Sequence, residues 1–239
     1  MGITIHYQGR IADKKELPQL IEELEEISKV HKWKYQILET AFPEGDFSED
    51  EHDGLLYGIC MIPPGSEMLS FTFLRNGRMC GPMQLHNWGG STDETERSYL
   101  YFNFTKTQYA GPEIHKMIIG IFSYVVNRYL TDFQLIDEAQ YWETKDEQLM
   151  NENFKRNAAL IKDFTAALRE NTKREGEDVE AYLERVIREF REKNKDQRLK
   201  IKDIRYKIKD IREKNKDKRY KTRKERQQSK RIYQQDKTY

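Results

Sequence analysis

The last 49 residues of this 239-residue chain, 191–239, can be written without a gap as seven degenerate heptads: REKNKDQ, RLKIKDI, RYKIKDI, REKNKDK, RYKTRKE, RQQSKRI and YQQDKTY. They hold 21 Lys and Arg against 8 Asp and Glu, and no Gly, Pro, Ala, Phe or Trp. A segment this charged and this poor in large apolar side chains cannot bury enough surface to offset the entropy of ordering its chain. It is an arm and not a domain, and any packed core must be built from residues 1–190. The arm's net charge of +13 against a whole-chain value of +1 leaves −12 on those 190 residues. The near-neutral total is a cancellation between a basic arm and an acidic body.

Leu183, Ile187, Phe190, Asn194, Gln197, Ile201, Ile204, Ile208 and Ile211 follow the alternating three-and-four spacing of an a/d seam, the period of helices that pair along one stripe. The flanking e and g positions are Arg191, Lys193, Arg198, Lys200, Arg205, Lys207, Arg212 and Lys214, all basic. A parallel homo-oligomer would set these charges against each other, so self-association through the arm is disfavoured. Two partners suit the pattern. An acidic helix would meet both the isoleucines and the charges, using Arg198, Lys200, Ile201, Ile204, Arg205, Lys207, Ile208, Ile211 and Arg212. Nucleic acid would need only the charges, with Tyr206, Tyr220 and Tyr233 available to stack on bases. Without a partner, the composition gives a solvated helix or a disordered tail.

Periodicity orders the body. Ile3, Ile5 and Tyr7 alternate with Thr4, His6 and Gln8 as in a half-buried strand, and Leu17, Leu20, Ile21, Leu24 and Ile27 then recur at helical spacing behind Pro18. Strand patterns follow at 35–40, 55–62, 67–74, a short 78–80 segment and 99–107. Asn76-Gly77 reads as a type I′ hairpin turn beyond 67–74, and a Gly/Ser/Thr-rich loop spans 87–97. Residues 112–130 form an apolar core helix, 135–136 a last short strand, and 146–170 and 178–190 two further helices. The fold class is α+β: an antiparallel-rich sheet in the order β-α-β-β-β-β-α-β with two packed helices, then C-terminal helices and the basic arm. The domains fall at 1–145, 146–190 for the helical extension, and 191–239 for the arm.

Cys60 and Cys80 have no metal-ligand spacing and no framework, and read as small buried hydrophobes in a reducing, cytoplasmic protein. The longest apolar run, 117–126, is too short to span a bilayer, so no membrane partner is expected. No sequence motif for a cofactor, metal or catalytic nucleophile is present. One cluster invites a ligand: His86 in His86-Asn87-Trp88, and Lys106, Gln108, Glu113 and His115 where a strand meets the N-terminus of the core helix. If the 87–97 loop folds over that junction, these five side chains line a small polar pocket; otherwise His115 is a satisfied core histidine. The sequence therefore points to a non-enzymatic interaction or adaptor protein. The alternative is a nucleic-acid-associated small hydrolase or nuclease using the pocket around Lys106–His115.

Overall fold

The computed structural model describes residues 2–47 and 52–193. It is a mixed helix-and-strand fold that divides into two compact units, 1–163 and 164–239. In the first, β1 (Thr4–Ile11) is followed by α1 (Leu17–Val30), β2 (Lys34–Ile37), β3 (Tyr57–Ile62) and β4 (Leu69–Phe73). Two short helices come next, α2 (Pro82–Trp88) and α3 (Glu94–Ser98), then β5 (Asn103–Lys106), α4 (Gly111–Tyr129), β6 (Leu130–Asp137) and α5 (Tyr141–Thr144). The helix α6 (Glu147–Glu170) begins in the first unit and ends in the second, where α7 (Val179–Lys193) follows.

The long elements keep the order β-α-β-β-β-β-α-β, but the single sheet expected from the sequence is two antiparallel three-stranded sheets, β5-β1-β6 and β2-β3-β4. The register of β1 against β6 shifts between Gln8 and Arg10, where β6 runs three residues from Gln134 to Thr131 against two of β1, so the bulge belongs to β6 and β1 stays regular. The break lies at the end of β5, whose pairing stops at Asn103 opposite Tyr7. Beyond it the same edge of β1 takes the segment after β4: the Met79 N–H donates to the Gly9 carbonyl and the Ile11 N–H to the Gly77 carbonyl, each at 2.9 Å. Side chains complete the join: the Thr105 hydroxyl donates to the Met68 carbonyl at 3.0 Å, and the Ser70 N–H donates to the Tyr7 hydroxyl at 3.0 Å. Burial pushes the Tyr7 phenol up to about 12, so it stays protonated at any physiological pH.

Four further expectations change. The 87–97 stretch is not a plain loop, because Pro82 starts α2 behind Gly81, and the Asp93 carboxylate caps α3 by accepting the Glu96 N–H. The 99–107 strand is shorter, with residues 99–101 wound into a 3-10 turn and pairing confined to 103–106. The last strand is longer than two residues, running 130–137 along β1. The turn at Asn76-Gly77 closes a hairpin, yet only Gly77 has positive φ, at 76°. Its N–H donates to the Leu74 carbonyl, and the Arg78 N–H donates to the Asn76 side chain. That is a three-residue loop with glycine in the left-handed position and not a type I′ turn, which needs two such residues.

The main core collects the inward faces of both sheets and of α1 and α4: Ile5, Tyr7 and Ile11 from β1, Leu20 and Leu24 from α1, Leu69, Phe71 and Phe73 from β4, and Ile118, Phe122 and Val125 from α4. Phe122 is its centre, with Tyr7, Phe71 and Phe133 ring centroids at 4.7, 5.1 and 5.7 Å. Edge and tilted contacts of this kind contribute beyond the area they bury. A second cluster of Leu56, Leu74, Cys80 and Leu100 lies under α2, and burial raises both thiols, that of Cys80 to about 12.

The described part of the second unit is a helical hairpin. Phe164 meets Phe190 edge-on at 5.2 Å, and the Arg185 guanidinium reaches both Glu177 oxygens at 2.9 Å. This paired geometry pushes the Glu177 carboxyl down to about 2, with the Arg174 N–H adding to the effect. The buried residues of α7 are Arg185 and Val186, one step off the Leu183–Ile187–Phe190 seam.

Candidate functional site

Chemistry-bearing side chains converge in one place, where the ends of β5 and β6 meet the first turns of α4. Thr107 leaves β5 with its N–H donating to the Ile3 carbonyl at 2.9 Å. Two turns of chain later Pro112 starts α4, and the helical spacing that sends Ile118 and Phe122 into the core sends His115 inward as well. On β6, inward Leu135 is followed two residues later by Asp137, because side chains of a strand alternate between its faces.

The three side chains form a line. Thr107 Oγ1 lies 2.7 Å from His115 Nδ1, and His115 Nε2 lies 3.1 Å from Asp137 Oδ1. The second approach is close but off the axis of a well-formed hydrogen bond. Asp137 is held by backbone too: Oδ1 accepts the Ala139 N–H at 2.7 Å, and Oδ2 accepts those of Tyr141 and Trp142 at 2.7 and 3.0 Å. Burial drives this carboxyl up, but His115 and the N–H groups of Trp142 and Ala139 outweigh burial and hold it below the usual carboxylate range. The Phe154 ring of α6 stands edge-on to the imidazole at 5.3 Å.

A hydroxyl, an imidazole and a carboxylate in this order resemble a nucleophile, a base and an orienting group. Exposure decides against that use in this conformation: Thr107 and His115 are 0 % exposed and Asp137 3 %, so the hydroxyl has no face toward a substrate. What the line does is bind β1, β5, α4, β6 and α5 at one node, in which Asp137 and Thr107 are hydrogen-bonded and His115 Nε2 rests against the carboxylate.

The five residues expected to line a pocket are placed differently from one another. His115 is at the node. Gln108 is buried beside it, its Oε1 accepting the Ile3 N–H at 3.1 Å. Lys106 is half-buried on β5, its backbone N–H donating to Glu67. Glu113 is exposed on the first turn of α4, and His86 is exposed on α2, whose neighbours Leu85 and Trp88 pack on the second cluster. Arg198, Lys200, Ile201, Ile204, Arg205, Lys207, Ile208, Ile211 and Arg212 lie outside the described residues. Sequence reading missed Thr107 and Asp137. The alternation of β6 carried the signal for Asp137: an acid in phase with Leu135 must face the core, and a buried acid needs a partner.

Among the described residues no group of three His, Cys, Asp or Glu side chains is placed to hold a metal ion, and no helix is long and apolar enough to cross a membrane. Comparison of the chain with protein-family models, with curated proteins and with solved structures finds no match.

Proposed function

We propose that the chain is a non-enzymatic interaction protein of the cytoplasm, an acidic α+β body carrying a basic arm that pairs with an acidic helix of a partner. The observation that carries this reading is the state of the seam where it begins. Although α7 has its own buried face, Leu183 is 38 % exposed and Ile187 only half-buried. Phe190, the last seam residue before the arm, packs on Phe164, but Leu183 leaves an apolar edge open ahead of it, which suits a partner helix more than phosphate alone. Closure of the Thr107–His115–Asp137 node to solvent removes the nearest alternative chemistry from the surface.

Replacing Ile201, Ile204, Ile208 and Ile211 by serine separates the two partner classes. Pairing with an acidic coiled-coil peptide is expected to be lost, because the seam supplies its apolar contacts, while salt-sensitive binding to duplex DNA, if the wild type shows any, is expected to persist. Fluorescence anisotropy with both probes reads the difference. Wild-type binding to DNA alone, unchanged by the four serines, would overturn the helix-pairing reading.

The second reading, a small hydrolase or nuclease, draws on the order of the node's three side chains. It requires Phe154 of α6 to move off His115. Hydrolysis of a nucleic-acid or ester substrate by the wild type and its loss in Thr107→Val would establish it.

A further inference from the structure

The side of the β5-β1-β6 sheet that faces away from the core carries aromatic and apolar groups that the described chain leaves partly open. Strand alternation places Thr4, His6, Gln8 and Arg10 of β1, Phe104 and Lys106 of β5, and Gln134 and Ile136 of β6 on this face. The register sorts them into rows. Lys106 stands opposite Thr4, and on the other flank the Glu138 carboxylate accepts the Thr4 N–H at 3.1 Å. In the next row Phe104, His6 and Ile136 lie side by side. The Phe102 ring, just before β5, leans on His6 with centroids 5.3 Å apart. Phe102 is 47 % exposed, Phe104 39 % and Ile136 48 %. Large apolar groups gathered on one sheet face, with Lys106 and Glu138 at one margin and Arg10 at the other, mark an interaction surface more than a solvated one.

We propose that a second copy of this chain covers the face, through a two-fold axis lying along β1. The charges choose both the occupant and the axis. Turning a copy about a line parallel to β1 keeps each row opposite itself and exchanges its two flanks. Lys106 then meets the copy's Glu138, Glu138 meets the copy's Lys106, Phe104 meets Ile136, and His6 meets His6 at the axis. An axis across the strands would instead set Lys106 against Phe102 and Glu138 against the Gln134 amide, so that neither charge meets an opposite charge from the copy, which is costly. From the Thr4 row to the Gln8 row the face is therefore complementary to itself in one orientation, the requirement of an isologous contact, with Arg10 meeting its own copy at the far end of the axis, and the strands of the two copies run aligned as in packed sheets. The basic arm is not needed for this contact, so the inference stands apart from the proposed function. A dimer formed here would carry two arms and raise the avidity of whatever they bind.

Sedimentation equilibrium of the full chain at micromolar concentration tests the contact and is expected to give twice the chain mass. Lys106→Glu puts two carboxylates opposite two others, and Glu138→Lys two ammonium groups opposite two others, so each variant alone is expected to be monomeric. Mixed in equal amounts, the two variants face each other with opposite charges at both flanks and are expected to dimerise again. Glu138→Gln keeps an oxygen for the Thr4 N–H and removes the charge alone. It guards against a folding defect in Glu138→Lys and is expected to weaken the dimer by about tenfold, two exposed ion pairs at under 1 kcal/mol each. Phe104→Asp, checked for a native circular dichroism spectrum, is expected to be monomeric. A monomeric wild type would assign the face to another occupant, and a dimer that survives Phe104→Asp would place the contact elsewhere. Failure of the mixed variants to associate would refute the two-fold arrangement. Each of the three overturns the proposal.

Discussion

Replacing Asp137 by alanine is expected to cost the fold about 3–5 kcal/mol, because it leaves several buried donors without an acceptor. The carboxylate accepts three backbone N–H groups, from Ala139, Tyr141 and Trp142, and sits against a fully buried imidazole. Alanine removes every one of these acceptors. An orphaned buried donor alone costs about 1–3 kcal/mol, and domains of this kind are stable by only about 5–15 kcal/mol. The first turn after β6 is held by these bonds, so it should loosen first. Hydrogen exchange of the Tyr141 and Trp142 amides would rise ahead of the core strands, and urea unfolding gives the total.

The same carboxylate makes stability depend on pH with a definite sign. Its folded value lies below the ordinary 3.8, so its contribution is complete above that value and is lost as pH falls through the depressed one. Asp137→Asn removes this step. The stability gap between wild type and Asp137→Asn is therefore expected to be constant from neutral pH down to about 4 and to close below it. Melting temperatures of the pair, measured side by side, cancel the contributions of the other carboxylates. His115→Gln should cost less, about 1–3 kcal/mol, because glutamine keeps one polar contact to Thr107 or Asp137. If wild type proves to hydrolyse a substrate, and His115→Gln abolishes that turnover without loss of stability, the node is a catalytic site and not a structural one.

Much of this node is legible in the amino-acid sequence, and the part that is not has a physical cause. The inward phase of His115 follows from its spacing to Ile118 and Phe122 on one helix, a pattern local to a few turns. Asp137 is carried by an equally local alternation, but only once β6 is known to extend beyond Leu135–Ile136. Its outer half, with Asp132 at φ 52° and polar residues on the exposed side, masks the hydrophobic period of the strand. Thr107 is different in kind. Its partners are Ile3 and His115, the first 104 residues away, and nothing in its own neighbourhood announces them. The split into two sheets is likewise non-local, since it depends on where β5 stops along β1 and on residues 77–79 taking over the same edge. Asn76-Gly77 announces a hairpin and not its type, because glycine at the second position satisfies either loop and the choice is made by how far the flanking strands pair.

Gly58→Ala is expected to be nearly as damaging as the loss of Asp137, at about 3 kcal/mol or more, although Gly58 reads from sequence as an ordinary residue inside a strand. Two independent constraints meet there. Its φ is +131°, a region where a side chain costs about 1–3 kcal/mol. A Cβ would also lie 2.2 Å from the Phe71 carbonyl oxygen and 3.1 Å from Thr72 Cα, both backbone atoms of β4. Backbone cannot swing aside as the end of a side chain can, so β3 would have to part from β4 along the pairing of Gly58 with Thr72. The glycine also anchors the chain leaving β2, through the Leu38 N–H donated to its carbonyl and its own N–H donated to Glu39. A strand displaced here opens the core at Phe71, one of the rings around Phe122. The effect should thus be a drop in cooperative melting temperature and not a local loosening. For comparison, Gly120→Ala on α4, where a Cβ meets nothing within 4 Å, is expected to be neutral or stabilising by up to about 1 kcal/mol, as alanine suits a helix interior better than glycine. Equal melting temperatures for the two variants would mean that β3 and β4 are not paired as closely at Gly58 as the structure has them.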